Sequence, residues 1–189
     1  MKNITYGYEN RIIYLVIGIC FAIFAPISLL FVPQTVAEIV HYKPGLWHIF
    51  VPKNIFYIYI VGYLFLFISM MLLFLLNNRK VSIILSIICI ILSLVPFFIA
   101  SKANTSISYN SISHTPPLKL HSHIYKWNEI EKINYYKNED EVEINEYEIF
   151  FRDGTSIKLP DNGYFDDIKL VFYSKLDEMN LEVTEIVLN

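Results

Sequence analysis

The sequence has few cysteines, few glycines and little charge for its length. Its 189 residues include two cysteines and six glycines, and 17% are charged, against about 25% in an average globular domain. Cys20 and Cys89 both lie in apolar runs, so no disulfide-stabilised mini-protein is expected. The 54% hydrophobic content excludes a disordered tail, and the net charge of −3 excludes a basic nucleic-acid binder.

Charge is absent altogether from three long stretches of the first hundred residues. These runs occupy residues 12–32, 55–76 and 81–100, and none contains Asp, Glu, Lys, Arg, His, Asn or Gln. At about 1.5 Å per residue each helix would span roughly 30 Å, the thickness of the hydrocarbon core. Ion pathways and proton relays need polar groups near the midplane. The runs therefore predict three transmembrane helices that act as an anchor or interaction surface rather than a channel.

The two connections between these runs differ in length and composition. Only residues 77–80 separate the second run from the third, which predicts an antiparallel helical hairpin. Residues 33–54 contain three prolines, the first at Pro33, and these disfavour a further continuous helix. We expect residues 35–50 to lie at the membrane surface and to be partly helical.

Small residues form a stripe along the third run. Their spacings of four, three and four residues place them on one helix face: Ser82, Ser86, Cys89 and Ser93. Small side chains allow helices to approach closely in lipid. The stripe predicts a helix-packing face, either within the three-helix bundle or against another chain, including a second copy of this one.

The charge is divided unequally between the two parts of the chain. Residues 1–100 hold six Lys or Arg and two Asp or Glu, a net charge of +4; residues 101–189 hold nine and sixteen, a net charge of −7. Such asymmetry indicates two environments. We predict a transmembrane domain over 1–100, a linker over 101–117 and a soluble domain over 118–189.

Membrane orientation depends on a small difference in basic residues. Four lie on one side of the predicted membrane and three on the other: Lys2, Arg11, Arg79 and Lys80 against Lys43, Lys53 and Lys102. Taken alone, the positive-inside rule would place the C-terminal domain outside the cell.

Alternating hydrophobicity predicts several strands in the C-terminal part. One half-buried strand is expected from Leu118 to Ile124, and a second is expected to run through Ile133 and Tyr135 after a bend at Trp127. A short strand is expected near residues 106–110, inside the linker.

A hairpin and a helix follow. Asp153-Gly154 lies between two alternating stretches, a pattern typical of a two-residue hairpin turn with positive φ at both positions. Asp161 or Asn162 can cap a helix, whose apolar residues recur at helical spacing: Phe165, Ile168, Phe172, Leu176 and Met179. A last strand is expected over residues 181–188. The predicted fold is a membrane α-helical part joined to a small α+β domain.

Two motifs of this domain resemble a known family. Residues 125–133 read YKWNEIEKI, residues 152–155 read RDGT, and a closing helix follows. Over residues 104–180 this arrangement resembles bacterial PH-like domains tethered to transmembrane helices, in proteins of mostly unknown function. The resemblance implies a bent antiparallel sheet capped by one helix, on the cytoplasmic side of the cell membrane.

The charge of the domain departs from that of PH domains that bind phosphoinositides. Those domains use clustered Lys and Arg, whereas Glu139, Asp140 and Glu141 form part of an acidic run here. An anionic membrane surface repels such charge. The run predicts an acidic face that contacts a protein partner or holds a cation; the alternative is the solvent face of a hairpin.

His121 and His123 are the candidate metal ligands. Their spacing places two imidazoles on one face of a strand, and His114 or a glutamate could supply a third ligand. No zinc signature accompanies them, and the alternative is that both are solvated strand residues. We therefore predict no metal site and no cofactor.

The sequence contains none of the usual catalytic motifs, such as a nucleophile elbow, a phosphate loop or a paired-cysteine motif. We therefore expect a multi-pass membrane protein whose small domain is a non-catalytic interaction or regulatory module. Its expected partners are the lipid bilayer and another membrane or cytoplasmic protein, and not a nucleic acid. The alternative is an accessory subunit of a transport or export system, or a self-protection factor against a membrane-active peptide.

Overall fold

The computed structural model describes residues 2–77, 79–119, 121–138 and 145–188. It divides into two compact units. The first, the helical unit, comprises Met1–Val40, Val51–Ala103 and Pro117–Leu120. The second, the two-sheet domain, comprises His41–Phe50, Asn104–Pro116 and His121–Asn189.

Three helices dominate the helical unit: α1 (Lys2–His41), α2 (Ile55–Leu75) and α3 (Lys80–Lys102). Each is long and apolar enough to cross a membrane, which confirms the three predicted apolar helices. Helix α1 differs from the expectation at its C-terminal end, because it continues through Pro33 to His41. A proline removes one backbone donor and disturbs one turn, and a long helix absorbs this local loss.

Helices α2 and α3 pack as an antiparallel hairpin. The Ser69 and Ser86 side chains hydrogen-bond across the hairpin, 2.5 Å apart. Nearer the other end, a Cβ added at Gly62 would lie 2.8 Å from the Phe97 ring, so glycine permits this close approach.

The small-residue stripe of α3 belongs to this hairpin. Ser82, Ser86 and Ser93 are buried and Cys89 is half-buried. Because Ser86 bonds to Ser69 of α2, the stripe serves packing within the helical unit.

The two-sheet domain contains two four-stranded sheets. The first has the order β1-β2-β3-β4, with all neighbours antiparallel. Its strands are β1 (Leu46–Phe50), β2 (Asn104–Ser108), β3 (Ser111–Thr115) and β4 (His123–Lys126). A turn of 3₁₀ helix, Trp127–Glu129, leads from this sheet into the second.

The second sheet has the order β7-β6-β5-β8. Its strands are β5 (Ile130–Asn138), β6 (Glu146–Phe151), β7 (Ser156–Pro160) and β8 (Val183–Leu188). Strand β8 pairs parallel with β5, whereas the other pairs are antiparallel. A parallel pair requires a crossover connection, which helix α4 (Gly163–Glu178) provides.

Three strands of the first sheet lie in parts of the chain where the sequence predicts a membrane-surface segment and a linker. Strand β1 comes from the connection between α1 and α2, and β2 and β3 come from residues 101–117. Phe50 pairs with Thr105 across β1 and β2. A five-residue strand shows little periodicity, and of these three strands only β2 overlaps a predicted one, the short strand expected near residues 106–110. Strand β1 pairs with β2 across the whole of α2 and α3, so only tertiary pairing defines it.

Two local predictions are wrong in detail. The strand expected from Leu118 begins only at His123, because Leu118 adopts a positive φ of 65° and is 73% exposed. At the Asp153-Gly154 hairpin, only Gly154 has a positive φ, of 82°. Gly154 N–H donates to Phe151 C=O at 2.9 Å, and Phe151 N–H donates to Thr155 C=O at 2.9 Å. These bonds describe a three-residue loop with a glycine bulge instead of a two-residue turn.

Helix α4 begins as predicted. The Asn162 side chain accepts hydrogen bonds from the backbone N–H groups of Tyr164 and Phe165, at 3.1 and 3.2 Å. The apolar face of α4 is buried in one core with residues of both sheets. That core includes Phe50, Ile107, Ile112, Trp127, Ile133, Tyr147, Ile149, Phe151, Leu159, Phe165, Phe172 and Leu176.

Candidate functional site: a tyrosine-lined cavity

The predicted histidine pair is not assembled as expected. Strand β4 begins at His123, and His121 lies in the bend before it; both are exposed. His123 instead lies opposite His114 of β3. Among the described residues, no group of three or more His, Cys, Asp or Glu side chains could hold a metal ion.

His114 is held by its neighbours in the sheet. Its Nδ1 atom lies 2.8 Å from the Thr105 hydroxyl on β2. Burial lowers the pKa of His114 below its ordinary value, and the charge of His123 across the strand pair lowers it further. His114 is therefore a neutral structural residue near neutral pH.

The predicted acidic face lies outside the described residues, since Glu139, Asp140 and Glu141 all fall in the undescribed segment 139–144. Other acidic residues of the domain are described, and several of them line the cavity considered next.

A cavity of about 550 Å³ opens in the two-sheet domain between α4, β5, β6 and the chain entering β8. Ligand pockets typically have volumes of about 300–1,000 Å³. Three tyrosines, two leucines, a valine and four charged residues line it: Tyr135, Tyr147, Lys169, Tyr173, Leu176, Asp177, Leu181, Glu182, Val183 and Glu185.

The three tyrosines form one connected wall. Tyr135 and Tyr147 are paired across β5 and β6, and their ring centroids are 4.6 Å apart. The hydroxyls of Tyr147 and Tyr173 are 3.0 Å apart and hydrogen-bonded. The wall therefore joins both strands to helix α4.

These phenols are not bases at neutral pH. Burial, together with the hydrogen bond to Asp161, raises the pKa of Tyr135 to about 12. Burial and the hydrogen bond with Tyr173 raise the pKa of Tyr147 still further. At neutral pH both phenols therefore stay protonated and hydrogen-bonded; Tyr147 is 1% exposed and belongs to the core, whereas Tyr135 is half-buried.

Asp161 and Lys169 form a polar network at the cavity. The Tyr135 hydroxyl donates to Asp161 Oδ2 at 2.7 Å. Lys169 Nζ lies 3.4 Å from Asp161 Oδ1 and 3.7 Å from Asp166 Oδ1. The positive charge of Lys169 is thus compensated by two neighbouring carboxylates.

The remaining charges of the cavity are acidic. Glu185 lies 3.5 Å from Lys137 in an exposed ion pair. Asp177 and Glu182 are exposed, and in the described part of the chain neither has a basic side chain within 4 Å. The cavity therefore has an acidic rim beside an aromatic wall.

A second cavity, of about 370 Å³, lies in the helical unit between α1 and α2. Apart from Tyr63, its lining is entirely apolar: Phe21, Ala22, Ala25, Pro26, Leu29, Ile60, Leu64 and Phe67. It offers van der Waals contact and almost no hydrogen bonding.

Periodicity could not have located the tyrosine-lined cavity, because Tyr135, Tyr147 and Tyr173 lie on three different elements. The sequence shows only that Tyr135 and Tyr147 occupy inward positions of two predicted strands. No protein-family model and no curated protein matches the chain, so the chemistry of the cavity has to be inferred from its own residues.

Proposed function

We propose that this chain is a multi-pass membrane protein with three spans that carries the two-sheet domain on one membrane face. The domain is PH-like and acts as a non-catalytic binding module for another membrane or cytoplasmic protein. The observation that carries the proposed topology is the pairing of β1 with β2.

This pairing constrains the path of the chain through a bilayer. Strand β1 precedes α2, and β2 begins two residues after α3 ends. An open sheet edge does not occur within the hydrocarbon, so both strands lie outside it. Because β1 and β2 are hydrogen-bonded to each other, they also lie on the same side of the membrane. The α2–α3 hairpin therefore leaves that side and returns to it. With α1 as a third span, the beginning of α1 lies on the opposite side.

The order of elements supports the PH-like assignment. Antiparallel strands in two sheets are followed by one closing helix, α4, as the resemblance of residues 104–180 implies. The parallel strand β8 is an addition to that pattern. The same resemblance favours the cytoplasmic face.

The cavity supports binding in place of catalysis. Its volume suits a ligand. Its buried phenols are engaged in hydrogen bonds, and their pKa values lie well above neutral pH. A general base works best with a pKa near the operating pH, a condition that Tyr135 and Tyr147 do not meet.

Cysteine labelling of the full-length chain in intact cells tests the proposed topology. With Cys20 and Cys89 replaced by Ala, single cysteines are introduced by Lys43→Cys, Ser122→Cys or Arg79→Cys, all at exposed positions. A membrane-impermeant maleimide should label the cysteine at position 79 from outside. The cysteines at positions 43 and 122 should react only after permeabilisation.

The outcomes separate the parts of the proposal. If the cysteines at positions 43 and 122 react from opposite sides, the three-span arrangement is wrong. If both react from outside and the one at position 79 does not, the topology stands and the cytoplasmic orientation is wrong.

A further inference from the structure

We infer that the tyrosine-lined cavity binds an organic cation, an alkylammonium or guanidinium group. The source is a Lys or Arg side chain of the partner protein or a free polyamine. This inference rests on the proposed binding function and specifies the chemistry of the ligand.

The first argument is the charge of the lining. Lys169 is compensated by Asp161 and Asp166, and Glu185 is paired with Lys137. Asp177 and Glu182 remain without a basic side chain within 4 Å among the described residues. The open cavity therefore favours a positive charge, and an anion would meet two uncompensated carboxylates.

The second argument is the aromatic wall. Tyrosine rings attract cations within about 6 Å of the ring centroid, and aromatic pockets recognise ammonium groups in this way. Tyr173 is 37% exposed, so its ring is accessible from solvent. The same domain already makes such contacts, with Lys175 Nζ 4.5 Å from the Tyr109 ring centroid and Lys158 Nζ 5.8 Å from that of Tyr136.

The third argument is the apolar part of the lining. Leu176, Leu181 and Val183 line the same cavity as the acidic rim. The methylene stems of Lys and Arg pack on apolar surface while their charged heads stay hydrated. A bare inorganic cation would use the carboxylates alone, whereas an organic cation uses the carboxylates, the rings and the apolar side chains.

The charge of the C-terminal part extends the attraction beyond the cavity. Residues 101–189 have a net charge of −7. A net field of one sign steers oppositely charged ligands and increases their association rate, with strong dependence on ionic strength. A basic ligand is therefore favoured during approach as well as in the cavity.

Binding should be measured on the full-length chain in nanodiscs of zwitterionic phosphatidylcholine, which carry no net charge. The probe is a fluorescein-labelled tetra-arginine peptide, followed by fluorescence anisotropy. A tetra-citrulline peptide is the uncharged near-isostere. Unlabelled spermidine, added as competitor, distinguishes a free polyamine from a peptide side chain.

Two double variants carry the same change in charge. Asp177→Asn with Glu182→Gln removes the two uncompensated carboxylates of the cavity. Asp167→Asn with Glu131→Gln removes two exposed carboxylates that do not line it. We expect the cavity variant to weaken tetra-arginine binding about two- to thirty-fold, as the loss of two exposed ion pairs would, and the control variant to weaken it by less than the cavity variant does. Tyr173→Leu should weaken binding more than Tyr173→Phe, because phenylalanine keeps the ring.

Each result decides the inference. Binding of tetra-arginine but not of tetra-citrulline, with selective loss in the cavity variant, supports the inference. If micromolar spermidine then competes with the peptide, the ligand is a free polyamine. If spermidine does not compete, the ligand is a peptide side chain. Equal loss in both double variants, equal binding of tetra-citrulline, or no binding would overturn it. The cysteine labelling does not depend on the cavity, so it shows separately whether the proposed topology fails.

Discussion

At the scale of single residues, the protonation of His114 is coupled to the folding of the two-sheet domain. Its pKa is lowered below the ordinary value of 6.5, first by burial and then by the charge of His123. The folded state therefore binds fewer protons at this site than the unfolded chain. The stabilising contribution is complete above pH 6.5 and is lost as the pH falls through the folded-state pKa.

Replacing His123 should change the pKa of its neighbour in a defined direction. In His123→Gln the charge across the strand pair is gone, so the pKa of His114 should rise. It should remain below 6.5, since burial is the larger cause. Histidine ring signals in an NMR pH titration measure this. His121→Gln is the control, because His121 lies outside β4; an equal shift in both variants would contradict the cross-strand coupling.

At the scale of elements, β1 is the strand whose position in the fold differs most from the sequence prediction. The sequence predicts residues 35–50 at the membrane surface, yet Phe50 is 5% exposed and belongs to the core of the two-sheet domain. Its ring centroid lies 6.3 Å from that of Phe165 in α4. Trp47 of the same strand lies 5.6 Å from Trp127. Strand β1 is thus a structural part of the domain.

The variant Phe50→Ala tests this role of β1. Removing a buried phenylalanine ring costs about 3–5 kcal/mol, so the free energy of unfolding should fall by about that amount. Tyr42→Ala, at a 75% exposed residue of the same connection, should change it by less than about 0.5 kcal/mol. Urea denaturation followed by tryptophan fluorescence measures both. Similar values for the two variants would show that β1 does not contribute to the core.

At the scale of the whole molecule, the α2–α3 hairpin is an insertion into a β-hairpin. Phe50 of β1 and Thr105 of β2 are direct partners, so Val51 and Asn104 would face each other at the end of that ladder. Helices α2 and α3 take the place of the hairpin turn in the chain. The sheet therefore does not require them for its own register.

This leads to a prediction for a shortened chain. Replacing residues 52–103 by Asn-Gly, a preferred two-residue hairpin turn, should leave a protein with α1 as its one remaining long apolar helix and a folded two-sheet domain. Its near-UV circular dichroism should retain the tryptophan bands, because Trp47 and Trp127 stay in contact. A replacement by Val-Val is the matched control and should fold less well, because β-branched residues disfavour the positive φ that a two-residue hairpin turn requires. Loss of the tryptophan bands in the Asn-Gly protein would show that the helices are needed for the fold.

Some features of the fold could be predicted from the sequence and others could not. Helix α4 and its Asn162 cap are predictable, because capping and helical spacing involve residues within a few positions of each other. The tyrosine-lined cavity is not, because Tyr135, Tyr147 and Tyr173 meet only after β5, β6 and α4 have packed. The histidine pair shows the same limit: spacing suggests His121 with His123, while strand pairing selects His114 with His123.

The sequence by itself determined the three long apolar helices, the acidic C-terminal part and the closing helix. These depend on the transfer of apolar side chains from water and on contacts within one or two turns, which periodicity and composition record directly. Only the tertiary structure decided that β1 joins β2, that β8 lies parallel to β5, and that three tyrosines share one cavity. Those features depend on pairing between segments far apart in the chain, and the free energy of such pairing comes from hydrogen bonds and burial that exist only once the segments have met.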